Sequence, residues 1–418
     1  MAMNTVYFDM VGCRLNQAEI EALARDFTSQ GYQVVDQSMK ADLIVVNTCC
    51  VTFKAAADSR KMLRHYQTHT NARVISTGCW NSAFPEQADD LLDTNNQISN
   101  EQKIQLVDLV AELKPPLTPT QGIQLGHRQR TRAFVKVQDG CNNRCSYCLT
   151  QIARGPSRSE PLERILSTIN SLVDNGIKEV VLTGVQIGSW GKDLGDLRIH
   201  DLISAILEQT GIPRLRLSSI EPWDVSEALV ERFDNPRFCP HLHIPIQSGS
   251  DQVLRGMRRP LSKSELSGLL NMIRNHQKSL AVTTDIIVGF PGETQADLQE
   301  TLEFIETNGF SGGHVFKFSP MPGTNACVLP NQVQESVRKE RLKQVQSLFD
   351  RLSETTMERK VGTVQKVLFE ASHKGAFEGY TPDYFRVKTS ADGNLTNTIR
   401  KVELVKVWPE GKLEGRLV

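Results

Sequence analysis

Two things are missing from this chain, and each removes a class of protein. Net charge is the first: 48 Lys and Arg balance 48 Asp and Glu. No global positive field advertises a nucleic-acid binder, so an RNA partner must be argued from local features. The second is a long apolar run. None approaches the roughly 20 residues of a membrane helix. The opening MAMNTVYFDMVGC has neither the basic start nor the apolar core of a secretory signal. These absences predict a cytoplasmic protein with no membrane partner. Hydrophobic content of 39% and charged content of 23% are those of a globular chain. At about 150 residues per domain, the length predicts two or three domains.

What the chain does have is cysteine, arranged in a pattern. Nine in a cytosolic protein serve as ligands or buried thiols rather than disulfides. Cys141, Cys145 and Cys148 fall within CNNRCSYC, at the end of the apolar run from Arg132 to Val137. The unequal intervals suit a compact loop around one face of an iron–sulfur cube, with the fourth iron left open for a substrate. The alternative, a structural zinc knuckle, wants four ligands, and the nearest further candidate is His127.

A second triad lies upstream. VYFDMV, LIVVNT and RVISTG are short apolar runs separated by helical patterns, which predicts parallel strands buried on both faces. Asn16 is expected to cap the first helix with Glu19 as its box partner, and Gly31 to end it. Cys13, Cys49 and Cys79 follow the three strands. In a parallel sheet the loops at the carboxyl ends form the ligand crevice, so the three thiols are expected to converge on one site. Three ordinary buried cysteines are the alternative.

This first domain is expected to span residues 1–113. A proline- and glycine-bearing linker follows over 114–130. Six strand-like runs then recur between helical segments: AFVKVQDG, EVVLTGVQ, RLRLSSIE, HLHIPIQ, VTTDIIVGFP and GHVFKFSP. They predict a partial or complete β/α barrel over 131–358, closed off by a helix from Gln332 to Lys360. Ser218, Glu221 and Gln247 end strands and Asp285 lies within one, all candidates for ligand contact. His241 and His243 share a strand face with nothing nearby in sequence to complete a metal site, and read as hydrogen-bonded rim residues. The last segment, 359–418, has short β-branched runs between turns and predicts a small β-barrel. Its nine basic and seven acidic residues from Val361 onward make a weak electrostatic footprint. Tyr380, Tyr384 and Phe385 are candidates either for stacking on bases or for filling the barrel core.

The C-x3-C-x2-C loop, with Tyr147 before its last cysteine, resembles the cluster loop of the radical S-adenosylmethionine enzymes. GCRLNQAE, VVNTCCVTFKAAADSR and STGCW, followed by that loop, look like the methylthiotransferase family within them. The resemblance runs over nearly the whole chain and implies an α/β fold in three parts. These are an amino-terminal parallel α/β cluster domain, a central partial (β/α)6 barrel and a carboxyl-terminal TRAM-like RNA-binding barrel. It also implies two [4Fe–4S] clusters, one on Cys13, Cys49 and Cys79 and one on Cys141, Cys145 and Cys148, with S-adenosylmethionine on the open iron of the second. Thr183 and Gly184 occupy the position that receives its amino group, and Arg154 could meet its carboxylate or a substrate phosphate.

The implied reaction is 2-methylthiolation of tRNA. An adenosyl radical removes the adenine C2 hydrogen, the first cluster presents sulfur, and a second S-adenosylmethionine donates methyl. GCRLNQAE, VVNTCCVTFKA and LTGVQIGSWG look most like the branch acting on N6-threonylcarbamoyladenosine beside the anticodon. The isopentenyladenosine branch and the branch modifying a ribosomal protein remain alternatives, as does a non-catalytic metal-bound RNA-binding protein. The implied partners are the tRNA anticodon stem-loop, an electron donor of flavodoxin or ferredoxin type and an unidentified sulfur donor. The chain departs from the family at Thr150-Gln151, where an apolar residue and proline are usual, and at Cys50, where threonine is usual.

Overall fold

The computed structural model describes residues 5–111, 131–373 and 375–418, and the expected linker 114–130 lies outside them. Packing divides the described residues into two units. The first holds 5–111, 139–158 and 321–324; the second holds 131–138, 159–320 and 325–418. The second cysteine loop therefore packs in the first unit, and the carboxyl-terminal barrel shares the second unit with the central one.

The first unit is built on five parallel strands in the order β2-β1-β3-β4-β5: β1 Thr5–Met10, β2 Gln33–Val34, β3 Leu43–Thr48, β4 Arg73–Gly78 and β5 Gln97–Ile98. Ile44, Val45 and Val46 of β3 are buried without remainder, as a central strand covered on both faces requires. Residues Met10, Asn47 and Thr77 lie in register across β1, β3 and β4. The chain thus leaves three adjacent strands at one level, immediately before Cys13, Cys49 and Cys79.

Helix α1 runs from Arg14 to Ser29, with Cys13 rather than Asn16 at its N-cap. Asn16 is drawn inside the helix because its side-chain amide has better partners there. It donates to the carbonyls of Val11 (2.8 Å) and Thr48 (3.0 Å), stitching the turn to the neighbouring strand. Glu19 is likewise no box partner but a buried carboxylate. Gly31, with φ of +91°, follows the helix end as expected. Helices α2, Phe53–His69, and α3, Cys79–Ala83, complete the layer. Trp80 of α3, fully buried, packs in a cluster with Leu63, Leu149 and Ala153. A side chain of that kind contributes about 1.5–3 kcal/mol by leaving water.

All six predicted strands of the second unit are present: β6 Arg132–Lys136, β7 Glu179–Thr183, β8 Arg214–Leu217, β9 His241–His243, β10 Ala281–Val288 and β11 Gly312–Lys317. They pair in parallel as β8-β7-β6 and β9-β10-β11. Single bridges, Leu215 to Phe238 and Ser219 to His243, join the halves. No pairing closes β6 onto β11 among the described residues. The result is a partial barrel, as the family resemblance implies and one of the two forms the spacing allows. A helix from Glu335 to Glu358, with Val345 and Phe349 buried, leads into the last domain.

That domain is a closed antiparallel and parallel barrel, β12-β13-β14-β16-β15, from β12 Val364–His373, β13 Ala376–Tyr380, β14 Arg386–Ser390, β15 Ile399–Trp408 and β16 Lys412–Leu417. It docks on the amino ends of the central strands. Arg216 reaches Glu179 at 2.8 Å, both side chains fully buried. Arg214 donates to the carbonyls of Tyr380 and Lys366, and Arg132 pairs with Glu370 at 2.8 Å. Tyr384 plugs this end, stacked on His241 at 5.0 Å and lying under Arg216 at 4.7 Å. Its ring is consumed by the fold, and Phe385 is in the barrel core. Neither offers a face to a base: His241, Tyr380 and Arg216 flank the Tyr384 ring, and Phe385 is buried.

Candidate functional site

The sequence places a cysteine after each of three adjacent strands, and the structure keeps them at one edge of the sheet. Gly12 makes the first turn possible. Its φ is +111°, and a Cβ there would stand 2.6 Å from both Cβ and Sγ of Cys49. Only glycine lets the turn before Cys13 come this close to Cys49. Cys49 is held by Ser59: its amide donates to Ser59 Oγ at 3.0 Å, and that hydroxyl donates back to the Cys49 carbonyl at 3.0 Å. Cys50 points instead into the apolar cluster with Ala56, Leu63 and Trp80. Burial pushes the Cys49 thiol up to about 12, and raises Cys50 as well. A ligand that needs thiolate must therefore supply the free energy of deprotonation, which an iron–sulfur centre does.

Around these thiols lies a buried polar network that sequence reading missed. Arg154 stands in α4, Thr150–Arg154, just after the second cysteine loop. Its Nε donates to Cys79 Sγ at 3.1 Å, Nη1 to Glu19 at 2.8 Å and Asp139 at 2.9 Å, and Nη2 to Asn16 at 2.9 Å. All three guanidinium nitrogens are thus occupied. Sequence reading expected Arg154 on the carboxylate of S-adenosylmethionine or on a phosphate; in the structure its Nε addresses Cys79 and both Nη nitrogens address oxygens of Glu19, Asp139 and Asn16. Lys103 closes the other side, donating to Glu19 (2.7 Å), Asn47 (3.1 Å) and Asn100 (2.8 Å). Asn100 in turn donates to the Ala153 carbonyl at 2.7 Å. A signal for Glu19 was present, since it falls on the stripe of Leu15 and Leu23 at four-residue spacing, where a carboxylate needs partners. Lys103, distant in sequence, carried none.

The second thiol triad is a short turn pinned at its ends. The amide of Cys141 donates to the Gly155 carbonyl at 3.1 Å and that of Cys148 to the Cys145 carbonyl at 3.2 Å. Backbone amides also point at sulfur: Asn143 N lies 3.4 Å from Cys141 Sγ, and Thr150 N lies 3.4 Å from Cys148 Sγ. Amides donated to sulfur are the surroundings of cluster-bound thiolates, and Cys148 is exposed. Both triads fit an iron–sulfur centre by donor chemistry and by these contacts.

In the second unit, Thr183 ends β7, Ser218 follows β8, Glu221 and Gln247 lie in the loops after β8 and β9, and Asp285 sits within β10. Gly184 is tight for a local reason, because a Cβ there would meet Gln138 Oε1 at 2.9 Å. That oxygen accepts from the amides of Val185 (3.0 Å) and Gln186 (2.8 Å). Ser218 Oγ is buried with no hydrogen-bond partner among the described residues. Glu221 is oriented by Arg259 at 2.7 Å, which itself lies over Trp223. Gln247, with φ of +73°, bridges to β10 through its backbone.

His243 has company that its strand alone did not show. Its Nε2 lies 3.1 Å from Asp285 Oδ2, and His314 Nδ1 lies 3.3 Å from Asp285 Oδ1. Thr283 Oγ1 is 2.9 Å from both His243 Nδ1 and His241 Nε2. His243, Asp285 and His314 are the one group of metal-type donors within 4.8 Å of each other among the described residues. Burial would raise Asp285, but hydrogen bonds from His243 and His314 outweigh it and hold the carboxyl well below its usual range.

Comparison with known proteins places this geometry. The Radical SAM superfamily profile matches residues 135–305, and that of the uncharacterized protein family UPF0004 matches residues 5–99. A threonylcarbamoyladenosine tRNA methylthiotransferase, MtaB, of Thermotoga maritima is 36% identical, over 99% of this chain and 97% of that protein. The protein of the same name from Bacillus subtilis is 34% identical, over 97% and 94%. A tRNA-2-methylthio-N(6)-dimethylallyladenosine synthase of Acetivibrio thermocellus is 31% identical, over 97% and 89%. Among solved structures, the radical S-adenosylmethionine methyltransferase TsrM of Kitasatospora setae superposes with a TM-score of 0.58 at 12% identity, covering 95% of this chain and 82% of that one. That likeness concerns the fold. No described helix is long and apolar enough to cross a membrane.

Proposed function

The chain belongs to the methylthiotransferase family of radical S-adenosylmethionine enzymes, and on that premise we propose that it converts N6-threonylcarbamoyladenosine beside the tRNA anticodon to its 2-methylthio derivative. The observation that carries the reading is the pair of three-cysteine sites, each with one sulfur-directed donor set, in a single packing unit. Removing hydrogen from an adenine C–H bond is beyond any side-chain base, so a cofactor has to supply the chemistry. When bound, a [4Fe–4S] centre at Cys141, Cys145 and Cys148 with S-adenosylmethionine supplies the radical, and one at Cys13, Cys49 and Cys79 supplies the site for sulfur.

The chain's own residues hold and orient these groups. Cys49 rather than Cys50 serves as ligand, because its sulfur lies against the Gly12 turn that leads into Cys13. Thr183, Gly184, Ser218, Glu221, Gln247 and Asp285 line the carboxyl half of the barrel and receive S-adenosylmethionine and the substrate base. Ser218 Oγ, buried without a partner, is a hydroxyl a ligand would satisfy. The higher identity to proteins named for threonylcarbamoyladenosine than to the dimethylallyladenosine synthase supports that substrate. A small donor of flavodoxin or ferredoxin type delivers the electrons.

Mass spectrometry of tRNA nucleosides from a deletion strain and its complemented parent tests the assignment. The deletion should lose 2-methylthio-N6-threonylcarbamoyladenosine and accumulate its precursor. Undiminished product would refute the substrate, and loss of the dimethylallyl derivative instead would transfer the enzyme to the other branch. Release of 5′-deoxyadenosine by the anaerobically reconstituted, reduced protein checks the reaction class independently.

A further inference from the structure

We propose that Arg154 is a positioning residue that sets the reduction potential of the centre held by Cys13, Cys49 and Cys79 and clamps the second cysteine loop against it. The proposal rests on the two-cluster reading above and goes beyond it in naming the residue that joins the two sites.

The geometry begins with the placement of the guanidinium in the chain. Asp139 precedes Cys141 by two residues and Arg154 follows Cys148 by six. Their side chains meet at 2.9 Å, so the ion pair closes the loop that bears the second triad. The same guanidinium reaches outward to Glu19 of α1 at 2.8 Å and to Cys79 Sγ at 3.1 Å. One planar fork therefore touches a ligand of the first site while holding both ends of the second. Lysine cannot do this, having a single point charge in place of a fork with fixed directions. Burial makes the arrangement exacting: Arg154 is 3% exposed and Glu19 is 4% exposed.

Charge bookkeeping says why a cation belongs there. Within the buried network Arg154 and Lys103 already balance Glu19 and Asp139 while the thiols are neutral. Ligation strips protons from three cysteines and leaves net negative charge in a low-dielectric pocket. An N–H donated directly to a ligand sulfur, backed by fixed positive charge, offsets this. Hydrogen bonds to the sulfurs and local charge are the levers that shift the potential of an iron–sulfur centre, and both act here in the direction that favours the reduced form. Asn100 Nδ2, 3.9 Å from Cys79 Sγ, lies on the same sulfur at longer range. A purely structural salt bridge would be indifferent to which atom Nε addresses. The fork instead places Nε on sulfur and both Nη on oxygens.

The test uses the full-length chain with Cys141, Cys145 and Cys148 all changed to Ala, so that only the amino-terminal centre contributes. After anaerobic reconstitution, an EPR-monitored redox titration compares this parent with R154Q and R154K. The expected result is an iron content equal to the parent's with a lower midpoint potential in R154Q, and a smaller lowering together with an altered EPR line shape in R154K. R154Q or R154K that loads iron fully and titrates at the parent's potential overturns the proposal. If R154Q fails to load iron, R154K is decisive on the same criterion. A parent that binds no iron removes the two-cluster reading itself, which is a different outcome from a loaded centre indifferent to Arg154.

Discussion

Single residues carry much of the site, and each can be tested alone. Glu19 faces two buried cations, Lys103 and Arg154. Removing one member of such a network strands the other charges, so E19A should lower the stability of the first unit by about 3–5 kcal/mol, read by denaturant unfolding. A loss below about 1 kcal/mol would mean water reaches the network freely. Gly12 makes a separate prediction. In G12A the new methyl overlaps Cys49 in a backbone conformation that alanine resists, so iron content should fall to that of a single centre while the fold survives. Full iron loading in G12A would show that Cys49 is not a ligand. The two cysteine triads were legible as candidate ligands from spacing, because metal ligation selects residue type. Glu19 showed only as a carboxylate on an apolar stripe, and its pairing with Lys103 and Arg154 was not legible, since a buried ion pair is defined by partners 84 and 135 residues away in the chain.

At the scale of elements, strand identity was legible and docking was not. Apolar runs bounded by turns predict all six central strands and the three cysteine-bearing ones, since burial on both faces leaves a continuous signature. Which end of the central strands the last domain covers depends on side chains at strand starts, where Arg, Glu and His look like ordinary exposed charges. Glu179 illustrates the consequence. Burial alone would raise its carboxyl, but Arg216, Arg132 and Arg214 outweigh burial and hold it below the ordinary range. A carboxyl depressed in the folded state stabilises above its unfolded value of about 4.3 and loses that contribution as pH falls through the folded value. Acid should therefore weaken the second unit below pH about 4, and E179Q should flatten that acid limb while lowering stability at neutral pH. An acid limb unchanged in E179Q would remove Glu179 from the account. Tyr384 gives the companion measurement. Y384A should destabilise the unit by about 3–5 kcal/mol, as loss of a packed aromatic does, whereas a ring reserved for RNA would leave stability untouched.

For the whole molecule the zero net charge is the controlling fact. With no long-range field to gather RNA, binding has to come from a local stripe, and the electrostatic part of affinity has to be small and countable. Of the rings first considered for stacking, Phe385 is buried, and the half-buried Tyr380 and Tyr384 stack on each other at 4.9 Å with Arg132 over the first and Arg216 over the second, which leaves Trp408 on the outside of the last barrel. It is 38% exposed, with Lys406 Nζ 4.8 Å and Lys388 Nζ 5.6 Å from its ring. An aromatic flanked by cations is a surface on which a single-stranded base stacks while its phosphates are neutralised. Each lysine that meets a phosphate contributes about 0.7–0.9 to the slope of log affinity against log salt. K388A and K406A should each lower the slope by that amount and weaken binding of different tRNA sequences about equally, whereas W408A should cost about 1–3 kcal/mol with little change in slope. Filter binding or fluorescence anisotropy across a salt series separates the two effects. If all three variants keep the parent's affinity and slope, the RNA is gripped elsewhere, and the barrel serves chiefly as the cap on the amino ends of the central strands.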